Sequence, residues 1–217
     1  MSGSSKLRLL TATQLVEEQR KGTLVLDTRD AEQFAALHIR GSIQIGLMGS
    51  FASWAAMLLK PARKLALVAE NEQSAEEARL RLARVGLERV IGYSLADETC
   101  WHEEKIEQAT IATLRCESVR QTLERNPLVQ LVDVRSRAEW LKGHLPGAIS
   151  VPLLDLESTV QLIDPSKSSL VYCRQGFRAT TAASILLRET SADIGILIDG
   201  VEGWSALGLP LEVPNGM

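Results

Sequence analysis

One cysteine in this sequence stands where a nucleophile is expected. Cys173 follows the apolar residues 170–172, which predict the end of a buried strand, and it precedes an Ala- and Leu-rich run, 179–187, which predicts a helix. A tight loop between a strand and a helix turns its backbone N–H groups inward, and the helix adds the positive end of its dipole. Because such a loop stabilises a thiolate, Cys173 is the candidate catalytic nucleophile.

The residues after Cys173 distinguish it from an ordinary buried cysteine. A lone cysteine at a strand end is usually a small hydrophobic core residue. Here Gly176 supplies the backbone freedom that a ring of N–H groups needs, and Arg174 and Arg178 add two cations in a chain of net charge −3. The predicted substrate-binding residues are Arg174, Gln175, Gly176, Phe177 and Arg178.

This loop and two flanking motifs resemble the rhodanese sulfurtransferases. Residues 173–178 match the pattern Cys-Arg-x-Gly-x-Arg of that family's active-site loop. Upstream, the Asp-Val-Arg of 133–135 with residues 143–152 resembles the family's first signature. Downstream, residues 197–210 resemble its C-terminal signature, with Val201 where a second glycine is common. Three motifs in the right order make this resemblance specific.

The pattern of strands and helices predicts an α/β fold. Short continuous apolar runs, such as 128–132 and 194–198, alternate with helical segments. Such runs favour a mainly parallel sheet covered by helices on both faces, and the resemblance implies five strands in each domain. Asp133 and Arg135 end the first strand of their domain, at the sheet edge where ligands collect. The resemblance implies that they support the loop rather than react.

An internal repeat predicts two copies of this domain. The Asp-x-Arg of 27–29 recurs at 133–135, and Trp101 corresponds to Trp204. A repeat of about a hundred residues indicates a tandem of domains, since the periods of solenoids are roughly 20 to 50 residues. We predict an inactive rhodanese-like domain at 1–108 and a catalytic one at 109–217.

The first copy carries Glu70 at the position of the cysteine. Its loop is predicted as residues 70–75, Glu-Asn-Glu-Gln-Ser-Ala, without the cysteine, the glycine or the arginines. A carboxylate cannot carry a persulfide, so this domain is expected to pack against its twin, dock another module or shield the active site. Residues 49–54 resemble a segment of the inactive rhodanese domain in fusion proteins that carry a persulfide dioxygenase. The resemblance implies a dioxygenase module or partner.

The composition argues against several other classes of protein. The chain has 217 residues, and neither half carries the basic excess of a nucleic-acid-binding protein. Three cysteines argue against a disulfide framework and for a reducing compartment, and the apolar run 51–59 is too short to span a membrane. We therefore expect a cytoplasmic protein. His38, His102 and His144 form no metal-ligand pattern, and no metal or organic cofactor is expected.

The predicted activity is transfer of a sulfane sulfur through a Cys173 persulfide. The donors are thiosulfate or a low-molecular-weight persulfide, and the acceptors are glutathione, another thiol, sulfite or cyanide. A non-catalytic scaffold remains an alternative, because the first domain has lost its chemistry. A cysteine-dependent phosphatase is less favoured, because the related phosphatases have one more residue between the cysteine and the arginine corresponding to Arg178.

Overall fold

The chain folds into two compact α/β units. The computed structural model describes residues 6–119, 129–190 and 192–214. It divides the chain into Met1–Thr110 and Ile111–Met217, so the division lies two residues after the predicted end of the first domain at 108. Each unit is described by itself below.

The first unit contains a four-stranded parallel sheet. Its strands are β1 (Leu24–Asp27), β3 (Ile43–Gln44), β4 (Leu65–Ala69) and β5 (Val90–Leu95). Their order is β3-β1-β4-β5, and the central strand β4 is apolar and buried throughout. Where a fifth strand was expected, an isolated parallel bridge joins Leu9 to Tyr93 in β5. The prediction of five strands is therefore wrong for this unit, because the segment before the first helix pairs at one residue.

In the described part of the first unit, residues 6–110, the remaining elements are five helices and a short antiparallel pair. The first helix follows Thr11, and Thr11 and Gln14 form a reciprocal capping box, in which each side chain accepts from the other's backbone N–H. The pair consists of β2 (His38–Ile39) and β6 (Gln108–Ala109). The helices are α1 (Ala12–Arg20), α2 (Ala31–Ala36), α3 (Phe51–Leu58), α4 (Glu72–Ala83) and α5 (Glu98–Glu103).

The second unit contains the five-stranded parallel sheet that was predicted. Its strands are β7 (Ala112–Leu114), β8 (Val129–Asp133), β9 (Ile149–Ser150), β10 (Ser168–Tyr172) and β11 (Ile194–Leu197), in the order β7-β11-β10-β8-β9. The helices are α6 (Arg137–Lys142), α7 (Leu156–Thr159), α8 (Phe177–Glu189) and α9 (Gly200–Ala206). The apolar run 128–132 predicted strand β8, and its first residue, 128, lies outside the described residues.

The packing of this sheet places the site. Leu131, Leu170, Tyr172 and Leu197 belong to one buried cluster with Trp204 of α9, while α8 packs against β10 and β11. Because the strands are parallel, the carboxyl ends of β8, β10 and β11 meet at the same edge of the sheet. The residues that follow these three strands therefore face a common region.

Candidate active site

The loop that carries Cys173 is short and folds around the sulfur. Four residues, 173–176, connect β10 to α8, and Cys173 is only 1% exposed. The backbone N–H of Gly176 donates a hydrogen bond to Cys173 Sγ at 3.1 Å. Gly176 has a φ of +90°, and a Cβ there would lie 2.7 Å from the carbonyl oxygen of Ile198. Glycine is thus required at the residue that turns its N–H toward the sulfur.

Arg178 is held by a carboxylate from a different helix. Its Nη1 and Nη2 donate to the two oxygens of Glu139 in α6, both at 2.8 Å. Ser136 also donates to Glu139 from its N–H and its hydroxyl, at 3.1 Å and 2.8 Å. The hydrogen bond from Arg178 is the main reason that the pKa of Glu139 falls to about 2. The hydrogen bond to Glu139 is in turn the main reason that the pKa of Arg178 is raised, against the lowering effect of burial.

The other predicted substrate-binding side chains lie at the surface. Arg174 Nε and Gln175 Nε2 both donate to the carboxylate of Glu202 in α9, which lowers the pKa of Glu202. Phe177, the first residue of α8, is 67% exposed. The structure therefore brings the predicted cations together at the loop and pairs each with a carboxylate. Neither Glu139 nor Glu202 was predicted from the sequence.

Gly200 supports the loop from beneath. Its φ is +55°, and a Cβ at this position would lie 2.3 Å from the carbonyl oxygen of Cys173. The next two N–H groups of α9 reach the loop: Val201 donates to Cys173 O at 3.0 Å and Glu202 to Arg174 O at 3.3 Å. Gly200 belongs to the C-terminal motif at 197–210, but the motif alone gives no reason for glycine at this position. The close approach of two chain segments is what requires glycine here.

Asp133 and Arg135 form a buried ion pair beside the site. Arg135 Nη2 donates to Asp133 Oδ2 at 2.6 Å and to the carbonyl oxygen of Gly143 at 2.7 Å. In the first unit Arg29 makes the same pair with Asp27 and reaches the carbonyl oxygen of Leu37 at 2.8 Å. The hydrogen bond from Arg135 to the carbonyl oxygen of Gly143 thus stabilises the turn after α6. The first unit has the same ion pair although it carries Glu70 at the position of Cys173. The pair therefore stabilises the fold and is not specific to the catalytic loop.

His38, His144 and Cys116 lie in buried packing positions. His144 stacks on Trp140 at 3.8 Å, and His38 stacks on Phe34 at 4.0 Å. Burial lowers the pKa of His38 to about 4, so its imidazole is neutral near pH 7. Cys116 is buried, which raises the pKa of its thiol to about 11, and Cys100 donates to Glu104.

Two further properties of the described residues bear on function. Among them, no three His, Cys, Asp or Glu side chains are grouped so that they could hold a metal ion. Across the same residues, every helix is too short or too polar to cross a membrane.

The corresponding loop of the first unit differs in length as well as in chemistry. Only residues 70 and 71 separate β4 from α4, because Asn71 caps the helix by accepting from the N–H of Ser74 at 2.9 Å. The predicted loop at 70–75 is therefore wrong, since residues 72–75 are helical. Glu70 accepts a hydrogen bond from Gln33 Nε2 at 2.9 Å. An open depression of about 430 Å³ adjoins this loop, and its lining includes Arg29, Gln33, Glu70 and Glu98.

Comparison with known proteins identifies the family. The family model of the rhodanese-like domain matches residues 11–94 and 116–207. The chain belongs to the rhodanese family. Its two rhodanese-like domains, together with relatives named as sulfurtransferases, place it among the sulfurtransferase families.

The individual matches cover one domain or part of a longer chain. A sulfurtransferase of Allochromatium vinosum is 31% identical over 100 residues, which is 46% of this chain and 94% of that protein. The HTH-type transcriptional regulator Rv0324 of Mycobacterium tuberculosis is 31% identical over 85 residues, 39% of this chain and 38% of the regulator. A solved thiosulfate sulfurtransferase from Pseudomonas aeruginosa is 20% identical with a TM-score of 0.42, covering 96% of this chain and 44% of that one.

Proposed function

We propose that the second domain of this rhodanese is a sulfurtransferase that carries a sulfane sulfur on Cys173. The observation that supports this most directly is the 3.1 Å hydrogen bond from the Gly176 N–H to Cys173 Sγ, at the start of the 13-residue helix α8. A donor N–H and the positive end of a helix stabilise negative charge on sulfur. The proposed occupant of this four-residue loop is one sulfur atom.

The proposed reaction is a double displacement. The Cys173 thiolate attacks the outer sulfur of the donor, so a new S–S bond forms while the donor's own S–S bond breaks. The electron pair of the broken bond leaves on sulfite or on a thiolate. A thiophilic acceptor then attacks the outer sulfur of the Cys173 persulfide and restores the thiolate. The two steps balance in atoms and electrons without a metal or an organic cofactor.

The loop residues have distinct proposed roles in this cycle. The Gly176 N–H donates to whichever sulfur carries the charge, and Arg178 adds its positive charge beside it. Arg174, Gln175 and the exposed Phe177 contact the remainder of the donor at the entrance. The proposed donors are thiosulfate or a low-molecular-weight persulfide, and the acceptors are glutathione, another thiol, sulfite or cyanide.

The setting of the enzyme is also part of the proposal. The mechanism requires a free thiol, and all three cysteines are unpaired, which suits a reducing compartment such as the cytoplasm. We propose that the first domain, with Glu70 in place of the nucleophile, docks or shields rather than reacts. Its proposed partner is a persulfide dioxygenase, on the resemblance of residues 49–54 alone.

Steady-state transfer assays test the activity. Thiosulfate and glutathione persulfide serve as donors, cyanide and glutathione as acceptors, and Cys173→Ser is compared with Cys116→Ser, which removes a buried thiol outside the loop. We expect sulfur transfer to be lost in Cys173→Ser and retained in Cys116→Ser. If Cys173→Ser retains the activity, or if the native protein transfers sulfur from neither donor, the second domain is better described as a scaffold.

A further inference from the structure

The entrance to the Cys173 loop has a balanced charge. Two arginines, Arg174 and Arg178, would make it strongly positive on their own, which is the setting that a small dianion needs. Each is paired with a carboxylate, Arg174 with Glu202 and Arg178 with Glu139. The four side chains together therefore carry no net charge.

The pair with Glu139 uses the part of the guanidinium that recognises oxyanions. Both Nη1 and Nη2 of Arg178 donate to Glu139, one to each carboxylate oxygen. This two-pronged arrangement is the one through which arginine binds the paired oxygens of a carboxylate or phosphate. Because Glu139 is itself fixed by Ser136, it holds the position where a donor's sulfonate oxygens would otherwise bind.

The pair with Glu202 lies nearer to the solvent. Glu202 accepts from Arg174 and from the amide of Gln175, two successive residues of the loop, while its side chain remains 39% exposed. Its own backbone N–H also donates to the carbonyl oxygen of Arg174. A carboxylate is thus fixed against the exposed side of the loop.

These pairs treat the two classes of donor differently. Thiosulfate is a dianion of five atoms, so both of its charges lie within two bonds of the sulfur that reaches Cys173. In an organic persulfide the sulfur atom next to the reacting one is bonded to carbon, and any carboxylates lie several bonds away. We infer that Glu202 and Glu139 set the donor preference of the site, disfavouring thiosulfate and favouring organic persulfides. This inference rests on the proposed sulfurtransferase function.

The test compares kcat/KM for thiosulfate and for glutathione persulfide at fixed ionic strength, because added salt screens charge. Glu202→Gln removes a charge and leaves a side chain of the same size. From the interaction of unit charges near a protein surface, we expect it to raise kcat/KM for thiosulfate by about three- to tenfold. The kcat/KM for glutathione persulfide should stay within about twofold of the native value, because the carboxylates of glutathione lie several bonds from the reacting sulfur.

Two more variants make the result specific. Glu139→Gln should shift the preference in the same direction, since it weakens the competitor for Arg178. Glu157→Gln removes an exposed carboxylate from α7 and should leave the preference unchanged. An unaltered or lowered ratio of thiosulfate to persulfide kcat/KM in Glu202→Gln overturns the inference while leaving the proposed function intact. Failure of the native protein and of all three variants to transfer sulfur from either donor instead contradicts the function itself.

Discussion

The two domains make a similar contact after the central strand, with its polarity reversed. In each, the third residue of a capped helix contacts the segment that follows this strand, at loop residue Glu70 in the first domain and at Arg178, the second residue of α8, in the second. In the second domain Glu139 accepts from Arg178, whereas in the first domain Gln33 donates to Glu70. Both domains thus have this contact, although the first has neither the arginine, the cysteine nor the glycine whose N–H donates to the sulfur. Support for the loop is a property of the fold that does not depend on catalysis.

The support beneath the loop differs between the domains as well. Gly200 opens α9 because the carbonyl oxygen of Cys173 leaves no room for a side chain. The matching position of the first domain is Asp97, which caps α5 by accepting from the N–H of Cys100 at 3.0 Å. With only two loop residues there, an ordinary helix cap is sufficient. The longer loop of the second domain is therefore what imposes glycine at position 200.

The largest effect is expected from substitutions at the first residue of each loop, Cys173 and Glu70. Cys173→Ser should lower sulfur transfer by at least about 10³-fold, because a hydroxyl cannot form the persulfide. Adding Glu70→Cys to that variant should restore nothing, since its loop lacks the glycine and is two residues shorter. Transfer assays on the single and double variants check both expectations. Recovery of activity in the double variant would show that the first domain has a competent loop.

The next largest effect concerns the glycine under the catalytic loop. Gly200→Ala combines a positive φ with a contact of 2.3 Å to a backbone oxygen, so we expect unfolding free energy to fall by roughly 2–4 kcal/mol. Gly208→Ala is the matched control: its φ is +68°, and an added Cβ would meet nothing within 4 Å. It should cost about 1 kcal/mol. Urea unfolding compares the two, and equal losses would mean that the contact with the loop is unimportant.

A smaller, pH-dependent effect is expected when the ion pair between Glu139 and Arg178 is removed. The first domain has a hydrogen bond between Gln33 and Glu70 in its place. The pKa of Glu139 is lowered from 4.5 to about 2, so its stabilising contribution is complete above pH 4.5 and is lost as pH falls through 2. Glu139→Gln keeps the helix cap but should cost roughly 1 kcal/mol at pH 7, a value discounted for solvent screening. Urea unfolding at pH 7 and pH 3 should show the difference from the native protein shrinking. A pH-independent difference would assign the effect to packing.

The smallest effect tests the reversed contact of the first domain. Gln33→Glu places a second carboxylate at hydrogen-bonding distance from Glu70, so it should lower the unfolding free energy by about 0.5–1 kcal/mol. The double variant Gln33→Glu with Glu70→Gln restores a donor and an acceptor and should recover most of the loss. If the single variant is as stable as the native protein, the polarity of this contact has no energetic importance.

Local patterns predicted much of the fold because each depends on neighbouring residues. The buried parallel strands and the turn from strand to helix at Cys173 both depend on residues a few positions apart. The partners of Arg174 and Arg178 could not be predicted in this way. Glu139 lies 39 positions from its arginine and Glu202 lies 28 from its own, so these pairs exist only once the sheet brings their helices together.

The length of the first domain's loop was misjudged for a local reason. Aligning it with residues 173–178 extended it to residue 75, although the asparagine at 71 is a preferred helix N-cap. Giving the capping residue precedence over the alignment would have predicted the helix from residue 72. The role of Gly200 had a sequence signal in its motif, but the reason for glycine is a contact across the fold.

The central claim is that sulfur is carried by the second domain alone, on one cysteine. Its most direct test is peptide-mapped mass spectrometry of the native protein after incubation with glutathione persulfide and, separately, with thiosulfate. The account predicts a gain of one sulfur on the peptide that contains Cys173, removable by an added acceptor, with Cys100 and Cys116 unmodified. A protein that gains no sulfur from either donor, or that carries it on Cys100 or Cys116, would contradict the account.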